Sequence, residues 1–255
     1  MDLRTPENVM KGAEGFYLKG NERGVFLIHG GGGGTAADMR EIGNYIHEES
    51  GYSVFAPLLP GYGTTKEDLK TIHVDDWINA LKQWFREFKN EVDEVFVIGH
   101  SMGGVQALII TSEFPEEVSG VVSISTPIKL KGFLLKLVPF FKLFITYWKV
   151  NDLEKFARIY DGKWVGYERI PLNLVSKFKK LMRIMLDNLD KVKAPILIIQ
   201  GNRDQYINEK SAIKIYNEVN SETKDIVWLN CNHEILFSDV KKELFSKIIN
   251  FLKKN

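Results

Sequence analysis

Apolar residues along this chain fall into two kinds of run. Short, nearly solid apolar blocks read as buried strands, and longer stretches with apolar positions about every three or four residues read as amphipathic helices. Glu14-Gly-Phe-Tyr-Leu18 and Gly24-Val-Phe-Leu-Ile28 are strand-like and suggest a hairpin pair turned by Gly20-Asn-Glu-Arg23. A helix over Asp38 to Glu49 carries Met39, Ile42, Tyr45 and Ile46 on one face, and the strand Tyr52-Ser-Val-Phe-Ala56 follows. Asp75 to Lys89 is a second helix, with Trp77, Ile78, Leu81, Trp84, Phe85 and Phe88 at helical spacing. The strand Glu94 to Ile98, the helix Met102 to Glu113 and the strand Val118 to Ile124 continue the alternation. The rhythm stops from Thr126 to about Val192, then resumes with the strand Pro195 to Gln200 and a helix near Glu209 to Val219. The strand Lys224 to Leu229 and a last helix from about Asp239 to Leu252 complete it. Strands separated by single helices imply an α/β chain: a mostly parallel central sheet with helices on both faces, joined by right-handed crossovers. The interruption then reads as an inserted helical cap, dividing the chain into a core of 1–126 and 193–255 and a cap of 127–192.

Composition changes this picture little. The chain has 255 residues, enough for one large α/β core with an insertion. A formal charge of +1 gives no reason to expect a nucleic-acid partner. The single cysteine, Cys231, excludes an internal disulfide, and Met1-Asp-Leu-Arg-Thr-Pro-Glu7 lacks the basic start and apolar run of a secretory signal. The expected setting is the cytoplasm.

Candidate chemistry begins where an apolar strand runs into Gly99-His-Ser-Met-Gly-Gly104 and out into a helix. A G-x-S-x-G turn between strand and helix holds its serine in a strained, exposed pose, which makes Ser101 the candidate nucleophile. A serine hydroxyl needs a base at neutral pH, and histidine is the usual one. Of five histidines, His29 follows a strand, His100 lies inside the elbow, His47 ends a helix and His73 precedes one. His233 alone follows the last strand by a few residues, where a loop can return it to Ser101. Asp204, in Gly201-Asn-Arg-Asp204 after the buried strand, is the expected orienting carboxylate, with Asp225 and Asp239 less suitable; an Asx turn or the cap of the following helix is its alternative role. An oxyanion would be held by the N–H of Met102 at the helix start. A second donor is expected from His29-Gly30-Gly31-Gly32-Gly33-Gly34, with Gly31 first and Gly32 next. The glycine run lacks the Lys-Ser/Thr ending of a P-loop and the setting of a dinucleotide fingerprint, so no cofactor and no metal is expected.

His29-Gly-Gly, Leu59-Pro-Gly-Tyr-Gly63, Asp75-Asp-Trp77, Gly99-His-Ser-Met-Gly-Gly104, Gly201-Asn-Arg-Asp204 and Asn232-His233 occur in the order seen in α/β-hydrolases. The chain most resembles the microbial carboxylesterases and monoacylglycerol lipases among them. The resemblance implies the α/β-hydrolase fold and ester hydrolysis through an acyl-enzyme, with Ser101, Asp204 and His233 catalytic and oxyanion donors at Gly31 and Met102. Those esterases often carry a bulkier residue where this chain has Gly31, and glycine where it has Asn232.

Ile128 to Val150 is both apolar and cationic: Phe133, Leu134, Leu137, Phe140, Phe141, Phe144, Tyr147 and Trp148 stand among lysines 129, 131, 136, 142 and 149. The lysines interrupt it too often for a transmembrane helix, and Pro139 would break a single long one. The expectation is an amphipathic cap over the site, with Leu181, Met182, Ile184, Met185 and Leu189 adding a further helix. Phe133, Phe140 and Phe144 are its candidate substrate contacts, and the lysines suit an anionic lipid surface without stable insertion. The partner is then a small-molecule ester or lipid. The same triad would also serve thioesters, peptides or carbon–carbon bonds, and a silent ligand-binding relative is the non-enzymatic alternative.

Overall fold

The computed structural model describes residues 3–129, 146–149, 153, 154, 156 and 162–255. In chain order the elements are β1 (Phe16–Leu18), β2 (Asn21–Ile28), α1 (Arg40–Ser50), β3 (Tyr52–Ala56), α2 (Lys66–Thr71), α3 (Val74–Lys89), β4 (Glu94–His100), α4 (Met102–Glu113) and β5 (Val118–Ile124). There follow β6 (Tyr147–Lys149), β7 (Arg169–Pro171), α5 (Asn173–Leu186), β8 (Ile196–Gly201), α6 (Lys210–Glu218), β9 (Lys224–Leu229) and α7 (Lys241–Lys254). The central sheet has seven strands in the order β1-β3-β2-β4-β5-β8-β9, and β6 pairs with β7 apart from it. All neighbours in the central sheet are parallel except β1, which runs antiparallel to β3.

The expected hairpin between β1 and β2 does not form. β3 lies between the two strands, with Phe16 opposite Ala56 and Val25 opposite Val54. The turn that looked like a hairpin instead crosses the start of β3. Ser53 Oγ accepts the Gly20 N–H at 2.9 Å and donates to the Asn21 carbonyl at 2.9 Å. A Cβ on residue 20 would stand 2.2 Å from the Gly51 carbonyl oxygen, so the crossing needs glycine there.

Period-two alternation sorts the strand residues onto two cores. Phe26, Ile28, Val95, Val97, Ile196 and Ile198 face one side of the sheet, where α3, α4 and α5 pack. Val25, Leu27, Phe96, Ile98, Leu197 and Ile199 face the other, covered by α1 and α7. Helix α4 is buried all round from Met102 to Ser112, as a helix held between the sheet and another helix must be. The helix expected through Leu181 and Met185 forms as α5, and its apolar face (Leu174, Leu181, Met182, Met185) is buried in the same cluster as Leu108 and Ile109 of α4. Helix α2 has no counterpart in the periodicity, because six residues are too few to show one. Its capping box does mark it: Thr65 Oγ1 accepts the Asp68 N–H and Asp68 Oδ2 accepts the Thr65 N–H.

Strand register positions the site. Ile28 lies beside Gly99, and Gly99 beside Ser123, so β2, β4 and β5 end together and their following loops meet. That is the carboxyl edge of a parallel sheet, where such folds place ligands.

Candidate active site

Ser101 lies at the turn from β4 into α4 with φ 57° and ψ −118°, a conformation rarely adopted by a side-chain-bearing residue. Its N–H continues the ladder by donating to the Ile124 carbonyl at 2.8 Å, so the strain is held by the sheet itself. The glycines around it are steric requirements. A Cβ at position 99 would lie 2.1 Å from the Gly103 oxygen, one at 103 would lie 2.1 Å from the Ile28 oxygen, and one at 104 would lie 1.9 Å from Thr126 Oγ1.

The loop after β9 brings His233 back over this turn. His233 Nε2 is 3.0 Å from Ser101 Oγ, and His233 Nδ1 is 2.7 Å from Asp204 Oδ2. The Asp204 carboxylate fixes the tautomer, since it accepts from Nδ1–H and leaves Nε2 facing the serine. Its other oxygen, Oδ1, accepts the N–H groups of Tyr206 and Ile207, each at 2.8 Å. Asp204 therefore makes the Asx turn and holds the histidine at once, one oxygen for each. Burial works to raise its pKa, but the hydrogen bonds and charge of His233 and the two backbone donors prevail and hold it below the usual carboxylate value. Asp225 and Asp239 are not in this cluster: Asp225 caps its own strand by accepting the Ile226 N–H.

The glycine run after β2 lies against the serine turn, where a Cβ at residue 30 would stand 3.6 Å from Ser101 Cβ. Two side chains pin its carbonyls on the far side. His29 Nε2 accepts the Leu59 N–H at 3.1 Å, which leaves Nδ1–H to donate to the Gly30 carbonyl at 2.8 Å. The Tyr62 hydroxyl donates to the Gly31 carbonyl at 3.1 Å and its ring packs edge-on to His29 at 5.1 Å. In a trans peptide the N–H points opposite to the preceding C=O, so pinning these carbonyls orients the N–H groups of Gly31 and Gly32. Desolvation drops the pKa of the fully buried His29 to about 4, so it stays neutral in this role. A side chain at position 31 would need Met102 and Phe178 to shift: its Cβ would lie 2.4 Å from Met102 Sδ and 2.5 Å from Phe178 Cζ, where the Phe178 ring of α5 packs.

Ser101, His233 and the glycine run open into a cavity of about 400 Å³ whose walls include Trp148, Trp164, Phe178 and Ile207. Phe133, Phe140 and Phe144 lie outside the described residues. Among the described residues no group of histidine, cysteine and acidic side chains is arranged to hold a metal, and no helix is long and apolar enough to cross a membrane.

A family model described as serine aminopeptidase, S33, matches residues 20–239. The chain belongs to the serine aminopeptidase S33 family. The S33 match takes in the glycine run, Ser101, Asp204 and His233 together. A carboxylesterase of Bacillus subtilis (strain 168) is 27% identical over 241 residues, covering 94% of this chain and 96% of that protein. A thermostable monoacylglycerol lipase of Bacillus sp. (strain H-257) is 27% identical over 231 residues, covering 91% of this chain and 90% of that one. A solved structure from work on LipS and LipT, two metagenome-derived lipolytic enzymes, superposes with a TM-score of 0.84 at 25% identity and covers 97% of this chain and 100% of that one. This S33 chain accordingly has the α/β-hydrolase fold.

Three side chains of this S33 site escape a reading by residue type. Gln200, fully buried at the end of β8, donates to Asp204 Oδ2 at 3.1 Å and to the Gly201 carbonyl at 3.2 Å. Its signal was present as the one polar residue closing an apolar strand. His100 donates Nε2–H to the His233 carbonyl at 3.2 Å and is kept neutral by burial, with a pKa near 3. Tyr62 stands in Leu59-Pro-Gly-Tyr-Gly63, whose order in the chain gives no hint that it reaches the glycine run.

Proposed function

We propose that this protein cleaves carboxylic esters through an acyl-enzyme, with Ser101 as nucleophile, His233 as general base and acid, and Asp204 as its orienting carboxylate. The observation that carries the reading is His233 held between Ser101 Oγ at 3.0 Å and Asp204 Oδ2 at 2.7 Å. Ser101 Oγ attacks the ester carbon while its proton passes to His233 Nε2, and the carbonyl oxygen becomes an oxyanion. The N–H of Met102, which has no partner within its own helix at the amino end of α4, and that of Gly31 receive that charge. Collapse breaks the bond to the alcohol oxygen, which leaves with the proton from His233. Water then attacks the acyl carbon with His233 again as base, releasing the acid and restoring Ser101. No cofactor or metal takes part.

Residues 127–192 act in this reading as a cap, supported by Trp148, Trp164 and Phe178 sharing the cavity with Ser101. Carboxylic esters, monoacylglycerols among them, are the substrates, as the names of the two Bacillus relatives suggest, and short to medium acyl chains are the expected range. A cytoplasmic setting fits the lone, buried Cys231. The test is a panel of p-nitrophenyl esters from acetyl to palmitoyl, monoacylglycerols, a thioester and an aminoacyl p-nitroanilide. Esters are expected to have the highest kcat/KM, and dominance of the anilide would overturn the ester assignment in favour of the peptidase chemistry in the family's description.

A further inference from the structure

One buried acidic side chain of the cavity takes no part in the chemistry above. Asp38 lies just before α1, only 8% exposed, and lines the same cavity as Ser101 and His233. Its Oδ1 has no hydrogen-bond partner among the described residues. Burial acts on its titration and raises its pKa to about 8. The carboxyl is thus neutral at pH 7, with one O–H to donate and lone pairs to accept. The chain makes room for it: a Cβ at position 34 would stand 1.9 Å from Asp38 Oδ2, so Gly34 is the residue that admits the carboxyl group. This accounts for the far end of a glycine run whose near end lies against Ser101.

A buried polar group left without a partner costs stability, and proteins retain such groups where a ligand completes them. The ligand here must offer a group that both donates and accepts, must be uncharged because Asp38 is, and must carry an apolar portion for the aromatic walls. A hydroxyl meets the first two conditions, and the acyl chain of a fatty ester meets the third. We propose that Asp38 is the specificity-determining residue of this cavity, recognising a free hydroxyl on the alcohol portion of the substrate, so that polyol esters of apolar acids are preferred over simple alkyl esters. The proposal rests on the ester-cleaving reading of Ser101 and adds to it the substrate's alcohol.

The test compares kcat/KM for glycerol monooctanoate, propyl octanoate and octanoylcholine in the wild type, Asp38→Ala and Asp38→Asn. The wild type is expected to favour the glycerol ester over the propyl ester by about tenfold, the upper end of what one net hydrogen bond contributes. Asp38→Ala should remove most of that ratio. Asp38→Asn, which can still donate and accept, should keep the larger part of it. An equal ratio in the wild type and Asp38→Ala would overturn the proposal. So would a preference for octanoylcholine lost in both variants, which would make Asp38 a carboxylate for cations. Calorimetric binding of glycerol monooctanoate to Ser101→Ala, with and without Asp38→Ala, separates the two levels. If the wild type cleaves no ester yet this binding depends on Asp38, the ester reading fails and the hydroxyl contact stands. If the binding ignores Asp38, the contact itself is refuted.

Discussion

At the scale of single residues, the site uses two carboxyl groups in opposite environments. Asp204 is hydrogen-bonded through both oxygens, and its pKa is held down; Asp38 lacks a partner for Oδ1, and its pKa is pushed up to about 8. Their effects on stability against pH therefore have opposite signs. For Asp38 the folded state holds its proton more tightly than the unfolded chain, so its relative contribution to stability is greatest below the unfolded pKa of about 4 and is lost as pH rises towards about 8. For Asp204 the contribution is present above the unfolded value and is lost as pH falls through the depressed one. Lys149, Glu234 and His233 share the cavity with Asp38 and are common to the wild type and an Asp38 variant, so a difference experiment cancels their own titrations to first order. Asp38→Asn is expected to be at least as stable as the wild type, by a margin that widens between pH 4 and pH 8 in urea denaturation. A margin that narrows over that range would contradict the unpaired, neutral carboxyl.

At the scale of elements, the turn from β4 into α4 is the most tightly specified piece of the chain. Gly103 packs its backbone on the end of β2, whereas a Cβ on Gly32 would meet nothing within 4 Å. Gly103→Ala is thus expected to cost about 3 kcal/mol or more, because a backbone oxygen cannot move aside, while Gly32→Ala should stay within about 1 kcal/mol. Urea midpoints of the two variants check both. The strands and helices of the core are legible because burial on both faces makes solid apolar blocks, as in Val118–Ile124, and burial on one face makes a helical period, as in Val74–Lys89. Pairing was less legible. An isolated strand such as β1 carries no sign of its neighbour, so β3 between β1 and β2 depends on Gly20 and Ser53 meeting across the turn. Among the site residues, Ser101 and His233 could be read from their places at strand ends, and Asp204 from the same rule. Tyr62 and Asp38 could not, since each reaches the site through a fold-dependent contact rather than a motif, and Gln200 showed only as a polar residue closing an apolar strand.

At the scale of the molecule, one sheet edge gathers the loops after β2, β4, β8 and β9, and these bring the glycine run, Ser101, Asp204 and His233 to one cavity. Helix α5 closes it from the side by placing Phe178 against Gly31 while its remaining apolar face stays in the core. The walls and the proposed reacting groups are therefore held by the same packed body. The central claim is that Ser101 is a nucleophile activated by His233, and intact-protein mass spectrometry after treatment with an activated fluorophosphonate tests it most directly. A single adduct mapped to Ser101 is expected in the wild type, forming on the order of 10³-fold more slowly or not at all in a folded His233→Ala variant. A folded wild-type protein left unlabelled at Ser101, or labelled as fast without His233, would contradict the account.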